Sequence, residues 1–164
     1  MSFEGFPEQA LVFYEGLQAD NTKAYWTDHK TTYDACVKAP MEALLAQLEP
    51  EFGTAKFFRP YRDVRFAKDK TPYKDHAGAV AHDTDGSTGL YVQLGAEGLY
   101  VAGGSWQLAS DQVLRLREAV ADDATGPRLT KALAALEKTG WHIGGERLVR
   151  VPKPYDTEHP RADL

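Results

Sequence analysis

Near Lys56 the spacing of apolar residues changes from that of helices to that of strands. Before it, Pro7-Glu8-Gln9 leads into Ala10, Leu11, Phe13, Tyr14 and Leu17, the proline-first, acid-early, apolar-periodic form of an amphipathic helix. Asp20 and Asn21 interrupt it. Asn21 is placed to cap a second helix carrying Trp26, Lys30, Tyr33 and Val37 on one face. Pro40 is expected to break or kink that helix, and Met41 to Leu48 reads as a further helical stretch ended by Pro50 and Gly53. From Lys56 the alternation is that of a strand, with Phe58, Arg62, Val64 and Phe66 on one side and Arg59, Tyr61, Asp63 and Arg65 on the other. Residues 68–87 show no sustained period and read as a long loop. Residues 89–104 form two apolar runs separated by the glycine-bounded Gly95-Ala96-Glu97-Gly98, a β-hairpin. Two further helices follow, one capped by Ser110 or Asp111, the other started by Pro127 and closed by Gly140. A last hairpin about Gly144-Gly145 is expected before the proline-rich end. Helices flanking a mainly antiparallel sheet give an α+β class.

At 164 residues the chain is expected to be a single domain, residues 1–164, large enough to bury a core without disulfides. Cys36 is the one cysteine and is expected to pack as a small buried hydrophobe. No apolar stretch approaches the ~20 residues of a membrane helix, and residues 1–5 lack the basic and apolar regions of a signal peptide, so no membrane and a cytoplasmic location are expected.

Charge is segregated. Residues 56–75 hold seven Lys or Arg against three Asp, an excess of four, within a chain of net charge −5, so the remainder carries −9. Arginine grips phosphate or carboxylate through paired donors and lysine adds mobile charge. The anion-binding residues are therefore expected among Arg59, Arg62, Arg65, Lys68, Lys70, Tyr73 and Lys74, with Asp63 and Asp69 orienting them. Trp26, Lys30 and Tyr33 read first as core packing with the lysine head reaching outward. The sharper alternative makes them, with Asn21, a wall of the pocket.

The ligand expected is a small phosphorylated or carboxylated anion. If it is turned over, Asp63 or Asp69 would serve as base and Tyr73 or Lys70 as acid, but no nucleophile–base pair is evident and catalysis stays open. Two other readings stand. The Arg–Asp motif is a folding network and the basic loop docks an acidic partner, or the cations track nucleic-acid phosphates while Tyr61, Tyr73 or Trp26 stack on bases. A pI near 5.5 disfavours nucleic acid.

There is no G-x-x-x-x-G-K-[ST] loop, H-E-x-x-H helix or helix-opening G-x-G-x-x-G. A calcium loop about Asp83-Thr84-Asp85-Gly86 would put Ala81 and Val92 at its first and last ligand positions and so fails. His76, His82, Asp83 and Asp85 would gather a metal only if the loop folded on itself, and no metal or cofactor is expected. Gly103-Gly104-Ser105 reads as a turn or, alternatively, as backbone N–H groups for an anion.

The run from Arg62 to Lys74, RDVRFAKDKTPYK, resembles the signature of a mainly bacterial, uncharacterised family, domain of unknown function 2461. Asn21, Tyr25-Trp26, His29-Lys30, Tyr33 and Pro40 are similar to its N-terminal helical motif, Leu90-Tyr91-Val92 with Gly103-Gly104 to its hairpin, and residues 148–152 with His159-Pro160 to its C-terminal segment. Departures are Asp20 where the family usually has a second asparagine, Tyr25-Trp26 where it commonly has Trp-Phe, and an end soon after His159-Pro160 where members generally continue. The resemblance implies no activity. It favours the positions of the central motif as those that define the family.

Overall fold

The computed structural model describes residues 2–82, 88–105, 108–145 and 148–164. They form an α+β fold in two compact units, Met1–Gln107 and Leu108–Leu164. In the first unit come helices α1 (Glu8–Ala19) and α2 (Lys23–Thr32), a π-helical turn (Tyr33–Lys38) and α3 (Ala39–Phe52). A four-stranded antiparallel sheet follows, in the order β1 (Ala55–Phe57), β2 (His76–His82), β3 (Gly89–Gly95) and β4 (Gly98–Gly104). Among the described residues no helix is long and apolar enough to cross a membrane.

The helices begin and end for local reasons. Pro7 stands at the N-cap of α1, where a missing N–H costs nothing. Thr22, not Asn21, caps α2, its Oγ1 accepting from the Tyr25 N–H at 3.2 Å, because the Asn21 side chain is used elsewhere. Pro40 does not end the helix. Its ring removes one amide donor, and the backbone passes into π register just before it, with the Ala39 N–H bonded to the Asp34 carbonyl, after which α3 continues to Phe52.

The sheet corrects two expectations. The alternating run 58–66 is not a strand, since beyond β1 only Tyr61 bridges across, to Tyr73. The strand lies instead at His76–His82, within the stretch read as loop. Ala79 sits opposite Val92 and Ala77 opposite Leu94, and these four face a core of Ala10, Phe13, Tyr14, Leu17, Trp26, Tyr33, Val37 and Met41. Gly78, on the other face, has no room for a Cβ against the Tyr91 ring. The hairpin 89–104 forms with Gly95 opposite Gly98, and Gly103 and Gly104 belong to β4 rather than to a turn after it. Cys36 is half-buried against the core.

The second unit contains α4 (Ser110–Ala121) and α5 (Gly126–Lys138). Ala109, rather than Ser110 or Asp111, is the N-cap of α4, its N–H donating to Gln112 Oε1 at 2.8 Å. Arg161 closes the other end of α4, giving Nε–H to the Val120 carbonyl at 2.6 Å and Nη2–H to the Ala121 carbonyl at 2.9 Å and to Asp123 at 2.7 Å. Those carbonyls have no partner within the helix, so the guanidinium supplies one. The expected hairpin about Gly144-Gly145 is not formed by residues 141–145, which are irregular, and residues 146–147 lie outside the described residues.

Candidate functional site

The cationic run is built on a short antiparallel ladder. Arg62 N–H donates to the Pro72 carbonyl at 2.9 Å and Lys74 N–H to the Pro60 carbonyl at 2.8 Å, which places Tyr61 opposite Tyr73 as a non-hydrogen-bonded pair. The amide and carbonyl of Tyr73 therefore point away from Tyr61, and Asn21 takes both. Its Nδ2 donates to the Tyr73 carbonyl at 3.0 Å and its Oδ1 accepts the Tyr73 N–H at 3.1 Å, so one side chain behaves as a neighbouring strand. The Tyr73 ring stacks on Trp26 at 4.3 Å and 7°, and Trp26 in turn meets Tyr33 at 4.7 Å and Phe13 at 5.7 Å. Trp26, Tyr33 and Tyr73 are each 5% exposed, so they anchor the ladder rather than line an open pocket, and only Tyr61, 50% exposed, offers an accessible ring. Burial, then the carboxylates of Asp34 and Glu42, push the Tyr33 hydroxyl up to about 12.

From this ladder residues 63–71 leave as a loop that bonds to itself. Arg62 Nη1–H donates to both Asp69 and Thr71 Oγ1, while Asp69 Oδ1 accepts the Thr71 N–H at 2.9 Å. Arg65 grips Asp63 with two donors, Nε–H at 2.9 Å and Nη2–H at 2.6 Å. Lys70 Nζ donates to the Val64 carbonyl at 2.9 Å. The Arg62 guanidinium, then the Thr71 amide, hold Asp69 from the ordinary 3.8 down to about 2. Asp63 is held below its ordinary value chiefly by Arg65. Asp63 and Asp69, the two residues expected to orient the cations, bond Arg65 and Arg62 and so close the loop.

Other cations are uncommitted. Lys74 Nζ lies 5.0 Å and Lys56 Nζ 6.0 Å from the centre of the Phe58 ring. Phe58 is fixed by its N–H, which donates to the Gly78 carbonyl at 2.9 Å and extends the edge of the sheet. Burial first, then the nearby charge of Arg59, lower the pKa of Lys74. Among the described residues no carboxylate pairs with Lys56, Arg59, Lys68 or Lys74. Lys30 is bound at 2.5 Å to Asp34, one turn on in the π-helical stretch. Of the residues expected to bind an anion, then, Arg59 and Lys74 come together, while Arg62, Arg65, Lys70 and Tyr73 serve the loop and its root. Lys56, over the same Phe58 ring, was not among the residues expected to bind an anion. Its charge belongs to the same patch, and its position two before Phe58 was the available signal.

His76 bonds Asp75 through Nδ1 at 2.7 Å, and the metal candidates Asp83 and Asp85 lie outside the described residues. In the second unit an open cleft of about 440 Å³ beside α4 is lined by Leu116, Arg117 and Tyr155 among others, together with residues 148–152 and His159 of the segment similar to the family's C-terminal one, but by none of the residues expected to bind an anion.

A family model described as a conserved hypothetical protein, DUF2461, matches residues 9–164. No curated protein and no solved structure matches.

Proposed function

Since the chain belongs to the DUF2461 family, whose description assigns no activity, we propose from the side chains alone that it binds a small phosphorylated or carboxylated anion at Lys56, Arg59 and Lys74 around Phe58. The observation that carries this reading is the pair of lysines over one ring, Lys74 with Arg59 close by, with no ion pair to a carboxylate at any of the three among the described residues. Holding Lys74 partly buried beside Arg59 costs stability, as its lowered pKa records, and an anion would remove that cost. Arg59 would supply paired donors and the two lysines point charge. Arg62, Arg65, Lys70, Asp63 and Asp69 form the frame, which supports the folding-network reading for the motif itself. The nucleic-acid reading is weakened by the burial of Trp26 and Tyr73, which removes two of its three stacking rings.

The test is a thermal-shift series with inorganic phosphate, sugar phosphates, nucleotides and citrate at low and high salt. A bound anion at a hundredfold excess over its Kd should stabilise by about 2.7 kcal/mol. The shift is expected to vanish in Arg59→Gln and Lys74→Gln and to survive in Arg65→Gln. Lys74→Gln should itself fold at least as stably as the parent without ligand, since it removes a repelled charge. No shift from any of these anions, or a shift that persists in both variants, rejects the site.

A further inference from the structure

The loop 63–71 carries a side chain that neither the fold nor the anion site uses. Phe66 is 96% exposed, so its ring contributes nothing to the core. Around it the polar side chains are spent on fixing the loop: Asp69 on Arg62 and Thr71, Asp63 on Arg65, Lys70 on the Val64 carbonyl. We infer that this loop is a preformed docking knuckle, whose Phe66 enters an apolar pocket rimmed by carboxylates on a partner protein.

Shape and charge both lead there. A loop held by its own bonds has little freedom left to lose on association, so an aromatic ring on it binds more tightly than one on a mobile segment. Both carboxylates of the loop bond cations or amides of the loop itself, which leaves the charges of Lys68 and Lys70 in excess. An acidic rim complements that excess, and the acidic remainder of the chain outside residues 56–75 repels the same partner, so the encounter is steered to the cationic run, where Phe66 is the exposed ring of the loop. A net charge of −5 opposes an anionic lipid surface, which one ring and two lysines would have to overcome.

The experiment is selection of a library of random linear peptides on the immobilised full chain at low salt, followed by fluorescence polarisation of the enriched peptides. Peptides joining an apolar residue to two or more acids are expected. Their affinity should fall at least about tenfold in Phe66→Ser and in Lys68→Glu, weaken with added salt, and stay unchanged in Lys74→Gln, which alters only the anion site. Asp63→Ala, which frees Arg65 and loosens the loop without removing the ring, should also weaken binding. Phe66→Ser leaves the core intact, so its melting midpoint should match the parent and loss of binding cannot be loss of fold. Failure to enrich any peptide, binding that Phe66→Ser leaves intact, or binding to phosphatidylcholine–phosphatidylserine vesicles in place of peptides would each overturn the assignment.

Discussion

Asp69 accepts hydrogen bonds from the Arg62 guanidinium and from both the amide and the hydroxyl of Thr71, and all three favour the ionised carboxyl. With its folded pKa near 2 and its unfolded value near 3.8, its stabilising effect is complete above the unfolded value and is lost as pH falls through the folded one. Thermal melts between pH 5 and 2 should therefore show a decline in stability on acidification that is shallower in Asp69→Asn. Equal slopes in the two proteins would mean that the Arg62–Asp69 pair is not formed in the folded state. The sequence marked Asp63 and Asp69 as partners for the cations, because Arg and Asp in one short segment must find each other or water, but it did not pair Asp69 with Arg62 or Thr71. It did not show that the pairs close a loop, because alternation alone cannot distinguish a strand from a run that turns on its own side chains.

At the scale of elements the same contrast recurs. The hairpin 89–104 was legible because β-branched and aromatic residues alternate between glycine turns. Strand β2 was hidden because His76-Ala77-Gly78-Ala79-Val80-Ala81-His82 is made of small residues, and only tertiary packing needs them. Ala77 and Ala79 let the aromatic core of the helices close on the sheet, and Gly78 leaves room for Tyr91. The role of Asn21 was misread for a related reason: a residue suited to start a helix is equally suited to bond a distant backbone. Its clasp on Tyr73 joins the segment between α1 and α2 to the root of the cationic loop. Asn21→Ala should leave the Tyr73 N–H and carbonyl without those partners and destabilise the chain by about 1–3 kcal/mol, read as a lower denaturant midpoint at unchanged slope. Asn21→Asp, which keeps an acceptor for the N–H but loses the donor to the carbonyl, should fall between. If Asn21→Ala were neutral, Tyr73 would have to be held by its ring against Trp26 alone.

Across the whole molecule the buried apolar side chains are unevenly shared. Every described hydrophobic residue in the core, from Ala10 to Leu94, belongs to the first unit, whereas α4 has no buried residue and α5 buries only Gly126. Burial of apolar area is the main source of folding free energy, so resistance to opening should follow the same division. The first unit has in addition the ladders of β2 with β3 and of β3 with β4, each seven residues long in register, and the Asn21 clasp. The second depends more on hydrogen bonds, among them the Arg161 closure of α4. Hydrogen exchange on the full chain should accordingly find the slowest amides in α1, β2 and β3, exchanging through global unfolding, and faster exchange throughout α4 and α5 through local opening. The single-domain expectation makes the opposite demand: one cooperative unit would give both sets the same slowest class and one unfolding transition. A fragment ending at Gln107 separates the cases, because it should keep a cooperative melt if the core is self-sufficient. Loss of that melt, or protection in α4 equal to that in β3, would mean that the two units fold as one.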